Sequence, residues 1–129
     1  MHHLEGRKAE TRQPLTVAAL AVALVVAGGA APAQDVVKVS PETHAVILDN
    51  AHVRVLSVRI KPGEEVAMHS HPPNVVYYLS DARIRLTLSD GKIEDRAVTA
   101  GMAVWSDAAV HAAKNVGTSE LREVQVELN

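Results

Sequence analysis

Two histidines stand two residues apart in the stretch VAMHSHPP, at positions 69 and 71, in a segment read as a β-strand. Alternate residues of a strand leave the same face about 6.6 Å apart along it. Two imidazoles so placed converge on one point, where each can bind a divalent metal ion at about 2.0–2.1 Å. Pro72-Pro73 ends the strand directly afterwards and leaves the pair near a rim. The surroundings of the pair have a fixed spacing, Gly63-x5-His69-x-His71, and farther on the chain reads Gly101-x9-His111-x3-Asn115. A blander reading stays open beside the metal one. Histidines facing a barrel cavity also serve as ordinary polar groups satisfied by hydrogen bonds, or line a pocket for a small apolar or anionic molecule.

Other chemistries are excluded by residue type. There is no cysteine, so thiol nucleophiles, thiolate metal sites and disulfides are absent together. No G-x-S-x-G elbow and no glycine-rich phosphate loop occur. Lys+Arg 13 against Asp+Glu 15 gives a net charge of −2, which lacks the basic field of a nucleic-acid binder. Aromatic residues are 2% of the chain, with no Phe, so base-stacking platforms are poor expectations and the core must be built from Val, Leu, Ile and Ala.

The elements that must position the histidines are strands. Period-2 alternation runs through HVRVLSVRI (Val53, Val55, Ile60), RIRLTL (Arg83 to Leu88) and REVQVEL, where Val124, Val126 and Leu128 form the apolar set. Turn signals separate them at Lys61-Pro62-Gly63, Ser89-Asp90-Gly91, Ala100-Gly101 and Asn115-Val116-Gly117. Eight or nine short strands and no helical stripe after residue 35 predict an all-β sandwich, jelly roll or small antiparallel barrel. Before them, residues 1–33 read as a secretory signal: Arg7, Lys8 and Arg12, an apolar run from Leu15 to Ala27, and Ala31-Pro32-Ala33 as the cleavage site. The strictly apolar part is shorter than the roughly 20 residues of a membrane span, although an uncleaved anchor stays open. The expected product is periplasmic or secreted, with no stable membrane association after cleavage. Residues 34–43 are expected as a flexible lead-in or an edge strand, and 44–129 as the domain. The leader holds three of the 13 basic and two of the 15 acidic residues, so the mature chain is net −3.

PGEEVAMHSHP, VVYYLSD and AVWSDAAVHAAKN together resemble the two motifs of the cupin superfamily, G-x5-H-x-H-x3-4-E-x6-G and G-x5-P-x-G-x2-H-x3-N, over about His44 to Leu128. The resemblance implies a single-domain jelly-roll barrel with a metal site inside, and His69, His71 and His111 match the family's three histidine ligands. WSDAAVHAAKNVG also looks like short cupins associated with β-alanine degradation. Two departures stand out. The family's glutamate ligand is missing: three or four residues past His71 the sequence reaches Val75 or Val76, and an alternative register puts Asn74 there, a weaker neutral fourth ligand. In the second motif Asp107 replaces proline, Ala109 replaces glycine, and the histidine comes one residue early.

Three neutral imidazoles leave the ion's charge uncompensated, which makes it a stronger Lewis acid and suits direct binding of an anion. Iron, zinc, nickel, manganese and copper are all compatible with such ligands; calcium and magnesium are not. Asn74, Val76 and Tyr78 share one strand face, so Asn74 and Tyr78 are the residues expected to orient a substrate. Two functions follow. One is a metal-dependent enzyme on a small organic acid, an oxygenase or an isomerase/lyase; the other is a non-catalytic periplasmic module binding metal or a small ligand. No carboxylate is assigned to the cavity, which favours binding or redox chemistry over hydrolysis. A homodimer is the expected partner state beyond the small molecule. Among the remaining residues, Asp107 is a turn carboxylate or an acceptor for an imidazole N–H. His44 and His52 are surface or core-edge residues. Arg83 and Arg85 form a wet strand face, Glu64-Glu65 a solvated turn, and Trp105 and Met68 pack in the core.

Overall fold

The computed structural model describes residues 33–129, together with Pro14. The expected signal segment therefore lies outside the described residues except at Pro14 and Ala33. No helix among the described residues is long and apolar enough to cross a membrane.

The alternation read in the sequence becomes nine strands: β1 (His44–Asp49), β2 (Val53–Ile60), β3 (Glu65–His71), β4 (Asn74–Tyr78), β5 (Ala82–Leu88), β6 (Ile93–Val98), β7 (Ala103–Ser106), β8 (Ala109–Asn115) and β9 (Leu121–Leu128). They form two sheets, ordered β1-β2-β9-β4-β7 and β3-β8-β5-β6, with every paired neighbour antiparallel. The core lies between them. Leu56, Val58 and Ile60 of β2, Val66 of β3, Ile84 and Leu86 of β5, Val98 of β6 and Leu121 of β9 are all buried there. Each such side chain contributes about 1.5–3 kcal/mol relative to an exposed one, so branched aliphatics build this core without Phe.

The glycine of each motif sits at a turn that needs it. Gly63 has φ +79° and Gly101 φ +90°, a region that L side chains rarely adopt. The Gly63 N–H donates to the Asn115 carbonyl and the Gly101 N–H to the Tyr78 carbonyl, both at 2.8 Å. Asn115 itself is fully buried and structural. Its Nδ2 donates to the carbonyls of Ile60 (2.9 Å) and Ser119 (2.8 Å), and its Oδ1 accepts from Gly117 N.

Three expectations are corrected. Residues 34–43 are neither a flexible lead-in nor an edge strand: they carry a helix, α1 (Val36–Val39), capped by the Asp35 side chain, with Val36 wholly buried in the core. A single turn this short is held by its packing, not by propensity. In β9 the apolar set does not face the core. Glu123, Gln125 and Glu127 do, and Leu128 is 43% exposed. The interior that β9 meets is polar, so Val124 and Val126 are only half-buried on the outer face. Trp105 and Met68, expected in the core, are 54% and 40% exposed. Trp105 lies outward on edge strand β7, and Met68 lies where the β3–β8 register shifts between Val66 and His69.

Candidate metal centre

The β3–β8 pairing brings the three histidines together. His69 and His111 are direct register partners, and His71 follows His69 on the same face. The rings lie 4.5 Å apart for His69–His71, 4.9 Å for His69–His111 and 5.3 Å for His71–His111, centroid to centroid. One ring nitrogen from each lies within 4.8 Å of the other two.

Hydrogen bonds select which nitrogens face inward. His69 Nδ1 lies 2.7 Å from the Ala67 carbonyl oxygen, and His71 Nδ1 lies 3.0 Å from Glu127 Oε2. Both acceptors call for a proton on Nδ1, which leaves Nε2 with its lone pair, the arrangement of a carboxylate–histidine–metal triad at His71. The two Nε2 atoms are 2.8 Å apart. Nitrogens bound to one ion at about 2.0–2.1 Å lie about 2.9 Å apart at right angles and about 3.3 Å apart in tetrahedral geometry. The three-imidazole set could hold a divalent transition metal. Burial, followed by repulsion from neighbouring imidazoles, pulls the His111 ring down to about 3. His69 is pulled down to about 4, chiefly by burial. Both rings are therefore neutral at physiological pH, as ligation requires.

Beside the histidines lies a cavity of about 70 Å³ lined by His71, Asn74, Tyr78, His111, Glu123 and Gln125, with Arg96 also on its wall. Asn74 is buried and held at both ends: its Nδ2 donates to the Pro72 carbonyl (2.9 Å) and its Oδ1 accepts from Gln125 Nε2 (3.1 Å). Gln125 Oε1 is buried without a hydrogen-bond partner among the described residues, an acceptor that calls for a donor on whatever enters. Tyr78 lines the cavity as expected. Desolvation and the nearby Glu123 push its phenol up to about 12, so it stays a donor.

The sequence reading missed Gln125 and Glu127, and three further residues of the site. Glu123, the register partner of Tyr78, supplies the cavity carboxylate that was not assigned, and burial pushes its carboxyl up to about 7. Arg96 stands on edge strand β6 opposite the core residue Ile84 and lines the cavity, with its Nη2 donating to Glu94 Oε2 at 2.8 Å on the exposed side. His44, expected at the surface or core edge, is 4% exposed, with its ring 6.1 Å from His69 and 6.2 Å from His71. Burial and the other histidines pull it down to about 3, and its Nδ1 is 2.7 Å from Thr43 Oγ1. The alternation of REVQVEL held the signal for Glu123, once its polar set is taken as the inward one. No spacing marks His44, which only strand pairing brings close.

Other residues lie outside the site. His52 is exposed, as are Arg83 and Arg85, and Arg85 pairs with Asp95 on the wet face. Glu64 Oε1 accepts from Lys61 N in the turn. Asp107 is exposed and accepts from Trp105 Nε1 at 3.1 Å, so it is a turn carboxylate.

No protein-family model matches this sequence, and no curated protein matches it. Solved structures do. A cupin domain from Bordetella pertussis Tohama I is 25% identical with a TM-score of 0.62, over 67% of this chain and 91% of that one. A Klebsiella pneumoniae protein with a double-stranded β-helix domain is 24% identical with a TM-score of 0.55, over 66% and 74%. An RmlC-like cupin family protein from Methanocaldococcus jannaschii is 17% identical with the same TM-score, over 67% and 78%. The two-sheet antiparallel topology and these neighbours give the chain the cupin fold, the jelly roll also called a double-stranded β-helix.

Proposed function

We propose that this chain is an exported, metal-dependent cupin enzyme that acts on a small organic acid by proton transfer, as an isomerase or lyase. The observation that carries this reading is the Glu123 carboxyl, buried in the same cavity as His71 and His111 and shifted to about 7. A group poised near the working pH both takes and returns a proton. That favours isomerase or lyase chemistry over the oxygenase alternative, which needs no such group.

A divalent transition ion on His69, His71 and His111 would supply Lewis acidity toward an anionic ligand. The chain's own residues do the rest. Arg96 attracts a carboxylate to the cavity, Tyr78 donates its O–H, and Gln125 Oε1 accepts from a substrate hydroxyl or amine. Glu123 removes the proton and returns it. Val76, Ile84, Leu86, Val104 and Leu121 line the same cavity and exclude water. Since one water claims about 30 Å³, a cavity of about 70 Å³ admits a head group of a few heavy atoms. The likeness of WSDAAVHAAKNVG to cupins associated with β-alanine degradation puts β-alanine and other three-carbon acids first among compounds to test.

The leader-like residues 1–33 support export to the periplasm or beyond. The outer face of the five-stranded sheet supports a homodimer: Leu48, Val55, Val126, Val75 and Trp105 follow one another in register across all five strands.

The test is a screen of small acids with metal-loaded wild type and Glu123→Gln. Turnover in wild type that drops at least 100-fold in Glu123→Gln, with metal content unchanged, supports the enzyme reading. Tight binding of an acid with no turnover by either protein overturns it in favour of a non-catalytic binding module.

A further inference from the structure

The segment 34–36 seats itself on the residue between the two ligands of β3. Ser70 N donates to the Gln34 carbonyl (2.9 Å), and Asp35 forms a parallel bridge with Ser70. From the same segment a line of charged contacts runs inward. Arg54 Nη1 and Nη2 donate to the two Asp35 oxygens at 2.6 and 2.7 Å. Arg54 Nε donates to Glu127 Oε1 at 2.7 Å, and Arg54 Nη2 lies 2.6 Å from that same oxygen. The other oxygen of Glu127 meets His71 Nδ1 at 3.0 Å.

The line starts at the half-buried Asp35, whose side chain is 34% exposed, and runs inward. Glu127 is fully buried, and the Arg54 side chain is 17% exposed. A lone carboxylate at that depth would be costly. The Arg54 fork makes it affordable and fixes its plane, because a planar guanidinium binding two carboxylates has little freedom to rotate. With Oε1 held by Arg54, Oε2 is aimed at His71, and the tautomer and orientation of that imidazole follow. Asp35 in turn fixes the outer edge of Arg54, and α1 fixes Asp35 by burying Val36.

We propose that Asp35 and Arg54 are positioning residues of the metal centre, so that the stretch 34–36 acts as a strap whose docking sets the grip of His71 on the ion. This rests on the reading that His69, His71 and His111 bind a metal. By linkage the coupling is reciprocal: metal binding tightens the strap as the strap tightens metal binding.

The experiment measures zinc affinity by chelator competition, and the visible absorption of the cobalt-loaded protein, for wild type, Asp35→Ala, Glu127→Gln and the double variant. Asp95→Ala, which breaks the exposed pair with Arg85, is the control. Loss of an outer-shell partner typically weakens metal binding 10–100-fold. The expected result is such a loss for Glu127→Gln, about a 3- to 10-fold loss for Asp35→Ala with a changed cobalt spectrum, and no change for Asp95→Ala. In the Glu127→Gln background the Asp35 effect should vanish, because Asp35 acts only through Arg54 and Glu127. Should Asp35→Ala destabilise the fold, Asp35→Asn, which keeps the cap, replaces it. Asp35 variants with wild-type affinity and spectrum, or with an effect that persists undiminished beside Glu127→Gln, overturn the proposal. A wild-type protein that binds no metal overturns the reading beneath it instead.

Discussion

His69 and His111 are direct cross-strand partners of β3 and β8, with rings 4.9 Å apart and nearly perpendicular. Residues 42 positions apart in sequence thus meet through register, and His71 joins them only because a strand repeats every two residues. The site depends on that register: a slip of one residue would turn His69 and His71 outward together.

Replacing His71 or His111 by Ala should therefore abolish stoichiometric metal binding without unfolding the barrel, since Leu56, Val58, Ile60 and Leu121 hold the core. Metal content per chain and far-ultraviolet circular dichroism check this. Full metal content in both variants would move the site elsewhere.

Acid should weaken the metal-free protein. His44, His69 and His111 have folded-state values of about 3, 4 and 3, below the ordinary imidazole value of 6.5. The unfolded chain therefore binds more protons between those values and 6.5, and stability falls as pH falls through that window. The slope is up to about 1.4 kcal/mol per pH unit for each ring. Glu123 works the other way: its value is raised from 4.5 to about 7, so it costs stability as pH rises from 4.5 to 7. Urea midpoints between pH 4 and 8 measure both. Glu123→Gln should gain up to about 3 kcal/mol at pH 8 relative to pH 4.5, and a variant whose profile overlays wild type would contradict the raised value.

Arg96 is half-exposed and pairs with Glu94 on its own strand, so its part is capture of the acid. Arg96→Gln should raise KM for an anionic substrate by about tenfold and leave kcat within about threefold. An equal fall in kcat would place Arg96 in the chemical step.

The exposed row ending at Trp105 gives the proposed dimer a direct test. If wild type sediments as a dimer, Trp105→Glu should shift it toward monomer. A wild type that sediments as a monomer at all concentrations would remove the dimer from the account.

The sequence was informative where one physical signal dominated. Alternation and glycine turns are local, so an all-β chain of eight or nine strands was legible, and the His-x-His spacing carries its own face. Alternation in β9 did not reveal which face is inward: Glu123, Gln125 and Glu127 are the buried set, a placement decided by strands distant in sequence. His44 and Arg96 were invisible for the same reason. Residues 34–43 offered no stripe long enough to predict a helix, and α1 exists because Val36 finds the core and Asp35 finds Arg54.

The central claim is a three-histidine metal centre, and elemental analysis of the protein purified without chelators, before and after incubation with divalent ions, tests it most directly. The expected result is one transition-metal ion per chain, lost in the His71→Ala and His111→Ala variants. A folded wild type that contains no metal and takes up none would contradict the account.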